Sequence, residues 1–385
     1  MSKLFLLSVA MQACIASFAP YAQIIMRNKG LSYSVVGVIL ALGEIAAIVF
    51  PLVASSFADM TGHTKRYLQV IASLVFLLAF PFVLGSGEII TAIAYILFAG
   101  LFWVLNPLVD GFINSQTSGD ASAYSNIRAA GTMTYVVTLI VFALIRFPQE
   151  SDNRSIIVVI LISLAVFVLI SQLQVLDLRD RREETEKERT RLFDPGWFSF
   201  PVYLFLFIVA LTRVAQGAIE KLLGSYMTEV LRLGSNFTFF LAIGAFCEFF
   251  SMIISAKLIR WNIVSAWTLL TISCLAHVAR LLLYVFTDGA VGFAVAQSMH
   301  AFTFGTLHVA VMVFIGKNVR KEHYKLAVSL YWACAVNLPQ MLAAFAGGYI
   351  IEYFGYKTLF LTYSFFPLLA FILCFATKKT LTCKS

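Results

Sequence analysis

Twelve apolar runs, each about as long as a membrane-crossing helix, dominate this 385-residue chain. They cover residues 4–26, 35–58, 67–86, 89–113, 127–147, 155–176, 200–227, 237–258, 264–286, 291–315, 326–351 and 357–376. At 1.5 Å of rise per residue, about 20 apolar residues cross the roughly 30 Å hydrocarbon core of a bilayer. Runs this long and unalternating exclude a transmembrane β-barrel, whose strands are alternating segments of about ten residues. With 60% hydrophobic and 12% charged residues and a mean hydropathy of +0.88, the chain has too little polar surface to fold as a globule in water. The expected class is an all-α membrane protein with twelve transmembrane helices, embedded in the lipid bilayer. The first run lacks a basic start and a small-residue cleavage site, so it reads as a retained helix.

Lysine and arginine gather on the cytoplasmic side of membrane proteins. Placing both termini inside leaves Arg27, Lys29, Arg146, Arg154, Arg232 and Lys357 outside, and Arg213, Lys221 and Arg280 within helices. Every other basic residue is then cytoplasmic. The net charge of +8 thus reflects topology, and no nucleic-acid partner is expected. The expected location is a cell (inner) membrane, with the protein a monomer. Six cysteines, at 14, 247, 274, 334, 374 and 383, show no paired or metal-like spacing.

Between the sixth and seventh runs lies "DLRDRREETEKERTRLFD", Asp177 to Asp194, in which 13 of 18 residues are charged with mixed signs. It reads as a solvated linker. The chain divides accordingly into an N-terminal six-helix bundle (1–176), a charged cytoplasmic linker (177–199) and a C-terminal six-helix bundle (200–385). "LALG" at Leu40 to Gly43 recurs as "LAIG" at Leu241 to Gly244, in the second run of each half. Two sixes with this echo point to pseudo-two-fold symmetry, with a substrate cavity near mid-membrane where the repeats meet.

Ionisable residues inside spanning helices cost roughly 2.5 to 3.5 kcal/mol each on insertion scales, so each should face a cavity or a partner. This chain has Glu44 on the second run, Arg213, Glu220 and Lys221 on the seventh, Glu248 on the eighth, His277 and Arg280 on the ninth, and His300 and His308 on the tenth. Glu248 lies about 11 residues, roughly 17 Å, from the outer end of its run, and His300 about 9 residues, roughly 14 Å, from the outer end of its own. Arg280 reaches the same layer. An acid that takes a proton, an arginine that balances its charge and a histidine that relays or orients make a proton-coupling set. The same three groups could instead form a static buried pair that holds the bundle together. His308, eight residues beyond His300 and roughly 12 Å deeper, is a candidate substrate contact on the same stripe. That separation, with no cysteine cluster to complete a shell, argues against a metal site, and no cofactor is expected.

The loop "SFADMTGHTKR", 56 to 66, resembles the signature of the major facilitator superfamily through Asp59, Gly62, Lys65 and Arg66, with Ser55 where the first glycine is expected. "NPLVDGFIN" (106–114), "AYSNIRAAGTMTYV" (123–136), "LAIGAFCEFF" (241–250), Arg280 and "QSMHAFTFGTLHVA" (297–310) resemble the facilitator branch that contains the bacterial 3-phenylpropionate permease, distantly similar to lactose permease and nucleoside:proton symporters. The resemblance implies a major facilitator fold, a cytoplasmic gate at Asp59, Gly62, Lys65 and Arg66, and proton coupling at Glu248, Arg280 and a histidine on the tenth run. It also implies that an acid and an arginine hold substrate, here Asp110 and Arg128. The lactose permease pattern has a further glutamate on the tenth run, and this chain lacks it. Asp110 and Arg128 lie near the cytoplasmic ends of their runs, where gate and ligand roles are both open. Trp103, Asn106, Tyr331, Trp332, Asn337 and Gln340 could offer stacking faces and hydrogen bonds to a ring.

Secondary active transport by alternating access follows as the leading function, with proton-coupled uptake of a small organic substrate such as an aromatic acid, sugar or nucleoside. Proton-antiport efflux uses the same groups with reversed coupling. A membrane enzyme or lipid-handling protein would need a catalytic constellation, and no HExxH, GxSxG or phosphate-cradling motif is present.

Overall fold

The computed structural model describes residues 2–61, 63–85, 87–116, 121–145, 153–175, 198–287, 289–320 and 323–378. All regular structure among them is helical: α1 (Ser2–Phe18), α2 (Ala22–Asn28), α3 (Tyr33–Thr61), α4 (Thr64–Leu84), α5 (Glu88–Gln116), α6 (Ala121–Leu144), α7 (Asn153–Val175), α8 (Phe200–Ser225), α9 (Phe237–Arg260), α10 (Ala266–Phe286), α11 (Ala290–Ser298), α12 (Thr306–Asn318), α13 (Tyr324–Leu330) and α14 (Leu338–Ala376). Ten stretches of the described residues are long and apolar enough to cross a membrane, and α7 adds a shorter one, Ile156–Gln172. The longest, Leu326–Ala376, covers the last two expected runs. It is interrupted at Gly355, whose φ of 81° is left-handed and non-helical. Glycine alone adopts that conformation without a Cβ penalty.

The chain forms two compact units, 1–187 with 233–239, and 188–232 with 240–385. Most of the charged linker, 177–197, lies outside the described residues. In the first unit α3 and α4 pack on α5, α1 packs on α6 and α7, and α4 packs on α7. Lipid is as apolar as leucine, so helices in a membrane associate through close packing and small residues. Gly131 of α6 meets Ser8 of α1 so closely that a Cβ there would sit 2.6 Å from Ser8 Oγ. Lys29, just after α2, donates from Nζ to the carbonyls of Phe82 and Gly85, tying the end of α4 in place. Partial burial lowers the pKa of that amine.

In the second unit α14 packs along α8 and α10, and α12 packs on α10. The core joins Phe205, Cys274, Val311, Phe314 and Cys374, with Phe205 and Phe314 stacked at 3.8 Å between ring centroids. Large apolar side chains also face outward, among them Leu77, Ile93, Phe207 and Ile372. A chain apolar both inside and out is matched to hydrocarbon rather than water.

Three expected continuous helices are interrupted, the first by a 3-10 turn at Ala19–Tyr21 between α1 and α2. Ala301–Gly305 winds as a π-helical turn between α11 and α12, and Tyr331–Asn337 does so between α13 and α14. Such π turns widen the backbone by one residue and are frequent at functional sites.

Candidate functional site

α9, α10 and the α11–α12 segment bring Glu248, Arg280 and His300 together. His300 stands between the other two: Nε2 is 3.1 Å from Glu248 Oε2, and Nδ1 is 3.0 Å from Arg280 Nη1. Arginine has only donors, so Nδ1 must accept, and the single proton of a neutral ring sits on Nε2, donated to the carboxylate. The acid and the arginine thus communicate through the imidazole, not by direct contact.

Arg280 is almost fully buried, and four side chains fix it. Nε donates to Tyr284 Oη at 3.0 Å, Nη1 also donates to Thr303 Oγ1 at 3.0 Å, and Nη2 donates to Gln297 Oε1 at 2.8 Å. Tyr284 stands one turn beyond Arg280 on α10, while Gln297, His300 and Thr303 come from the segment carrying the π turn. Ser251 on α9 donates to the Ala301 carbonyl at 2.7 Å, securing that turn against the helix that carries Glu248. Gly305 makes the approach possible, since a Cβ there would lie 2.0 Å from Ser251 Oγ. His277 is wholly buried below Arg280, with Nδ1 2.8 Å from the Ser273 carbonyl.

A second cluster lies in the same unit. The Arg213 guanidinium is fully buried, donates from Nη2 to Tyr331 Oη at 3.0 Å, and lies 4.6 Å from the centre of the Phe304 ring. The Phe304 ring stacks on His308 at 6.0 Å and 10°, and His308 lies 6.1 Å from Trp332. Glu220 is held apart, its carboxylate accepting from Gln216 at 2.8 Å and from Gln340. Lys221 and Asn337 are half-buried.

In the first unit, Arg128 Nη1 and Asp110 Oδ2 form an ion pair between α5 and α6, with both side chains part-exposed. Asn106 lies one turn before Asp110 and is half-buried. Glu44 is buried on α3 beside Tyr95 of α5. The signature loop falls where α3 ends at Thr61 and α4 begins at Thr64. Lys65 is half-buried and Arg66 exposed, while Gly62 and the Asp59 side chain lie outside the described residues.

Residues 3–362 match the model of the MFS_1 like family. The chain belongs to this family. As a family member it is a transporter rather than an enzyme, and it spans the membrane several times. Over 344 residues it is 23% identical to the "Probable 3-phenylpropionic acid transporter" of Escherichia coli (strain K12), covering 88% of each chain. Its fold is similar to that of a point mutant of the nucleoside transporter NupG, with a TM-score of 0.81 at 14% identity over 97% of this chain and 98% of that one. It is also similar to the POT family transporter PepTSo, with a TM-score of 0.74 at 9% identity over 100% and 99% of the two chains.

Sequence reasoning did not single out Gln297, Thr303, Tyr284, Phe304 or Gln216 in this facilitator. Gln297 had a visible signal, as a polar residue three positions before His300 in an apolar run. Thr303, Tyr284 and Phe304 are residue types common in any membrane helix, and only the fold gives them a role.

Proposed function

We propose that this transporter is a proton-coupled importer of a small organic substrate such as an aromatic acid, sugar or nucleoside. It works by alternating access, as a monomer in a cell (inner) membrane with both termini cytoplasmic. Its twelve spans form two six-helix bundles, 1–176 and 200–385, related by a pseudo-two-fold axis and joined by the linker 177–199. The observation that carries the coupling reading is the chain Glu248–His300–Arg280. With the acid ionised and the imidazole neutral, the three groups carry no net charge. A proton on the imidazole would place an N–H against the Arg280 donor and break that contact. A proton on the carboxylate leaves Arg280 without a compensating charge in a low-dielectric layer. Either way, one proton changes the balance of forces on α10 and the π turn, and this is the differential interaction a conformational switch requires. Similarity to the probable 3-phenylpropionic acid transporter of E. coli and to the nucleoside transporter NupG supports an aromatic acid or a nucleoside as substrate. Asn106, His308, Trp332 and Asn337 are the proposed substrate contacts, while Asp110 and Arg128 join Asp59, Gly62, Lys65 and Arg66 in the cytoplasmic gate.

The test is transport in proteoliposomes. Glu248→Gln should abolish accumulation driven by an imposed pH gradient and leave substrate exchange intact, because exchange requires no net proton release. Accumulation at the wild-type level in that variant would refute the assignment, and wild-type export driven by inward proton flow would replace import with antiport.

A further inference from the structure

Among the described residues of the second unit, Arg213 is the membrane-embedded guanidinium whose hydrogen bonds are largely unmade. Among the described residues its Nε and Nη1 have no hydrogen-bond partner, although the side chain is fully buried. Burying a charge without a partner is strongly destabilising, so such a group persists where something else repays it. Among the described residues no acid forms an ion pair with Arg213. Glu248 is engaged by His300, and Glu220, two turns along α8, is engaged by Gln216 and Gln340. What surrounds the guanidinium is neutral and aromatic: the Phe304 face and the Tyr331 hydroxyl, with His308 and Trp332 beyond them. Phe304 and Tyr331 both sit on the π-helical turns, 301–305 and 331–337. The two groups that contact Arg213 therefore both stand on irregular backbone.

Building on the transport reading above, we propose that Arg213 is the binding group for the carboxylate of a transported aromatic monocarboxylate. The Tyr331 hydroxyl holds the place of one carboxylate oxygen until the substrate enters. A carboxylate accepts two parallel N–H bonds from a guanidinium, and these charge-assisted bonds are about twice as strong as neutral ones. The substrate ring would lie among Phe304, His308 and Trp332, in the offset and edge contacts that aromatic rings prefer.

The experiment is equilibrium binding to the full chain in detergent, where no gradient operates. The probes are benzoate, phenylacetate and 3-phenylpropionate, each paired with its uncharged amide, which keeps the shape and loses the charge. Wild type should bind at least one acid about 10- to 100-fold more tightly than its amide, the range that loss of a charge-assisted bond implies. Arg213→Gln should erase that preference, and Arg213→Lys should restore part of it. Tyr331→Phe removes the competing hydroxyl and should tighten acid binding severalfold without affecting the amide. If Arg213→Gln does not fold, the Tyr331→Phe result decides the matter. Absence of any acid preference in wild type, a preference that survives Arg213→Gln, or an unchanged acid affinity in Tyr331→Phe would each overturn the assignment. The two proposals fail separately. Arg213-dependent acid binding without gradient-driven accumulation refutes only the coupling, and gradient-driven uptake of a neutral substrate without acid binding refutes only the role of Arg213.

Discussion

His300 and His308 share one helical stretch and differ in what they touch. His300 joins a carboxylate to a guanidinium, so truncating it leaves both charged groups short of a partner in a low-dielectric layer. His308 lies in a row of rings between Phe304 and Trp332, where its loss removes stacking area. His300→Ala should therefore lower gradient-driven uptake at least about tenfold, since a hydrogen bond to a charged group contributes about 1.5–3 kcal/mol. His308→Ala should mainly weaken substrate binding. Initial rates with and without a pH gradient separate the two, and equal tolerance of both substitutions would show that neither histidine serves transport.

The elements that carry the site are its irregular ones. An uninterrupted α-helix over 291–315 would present its side chains at a constant 100° per residue. The π turn at 301–305 re-phases the helix between His300 and Thr306, and Gln297, His300 and Thr303 all reach Arg280. Gly355 performs a different task, letting the chain leave one spanning segment and enter the next. A Cβ there would meet nothing within 4 Å, so the cost of replacing it is backbone strain alone. Gly355→Ala should lower stability by about 1–3 kcal/mol, read as a lower melting temperature in detergent with substrate affinity unchanged. An unaltered melting temperature would mean that the segment tolerates a regular helix.

At the scale of the whole chain, 60% of residues are hydrophobic and 12% charged. The proposed orientation places most basic residues on the cytoplasmic face. With the termini inside, Arg66→Cys at the start of α4 should react with a membrane-impermeant thiol reagent only from the cytoplasmic side, in a background without the natural cysteines. Within the proposed gate, Asp110→Asn removes the ion pair to Arg128. It should change the labelling rate at position 66 while leaving substrate affinity within about twofold, because part-exposed pairs contribute only about 0–1 kcal/mol. Labelling from outside would reverse the topology, and a large loss of affinity would make Asp110 a substrate ligand.

The amino-acid sequence by itself determined the solvent, the helical class and the roster of ionisable residues on the helices. Each of these follows from composition and period, which are properties of the chain taken locally. Glu248, Arg280 and His300 could be assigned to one layer because depth along a helix is a linear count at 1.5 Å per residue. Their order of contact could not, because it depends on the rotation of α9, α10 and the α11–α12 segment about their axes, and rotation is set by packing. Only the tertiary structure decided that the histidine stands between acid and arginine, that Gln297 and Thr303 complete the shell, and that Arg213 meets aromatic faces instead of a carboxylate. The π turns were equally hidden. They arise where packing across the membrane interior, such as Ser251 against the Ala301 carbonyl, outweighs the modest local preference for a regular helix, and no residue in "AFTFG" or "YWACAVN" announces them.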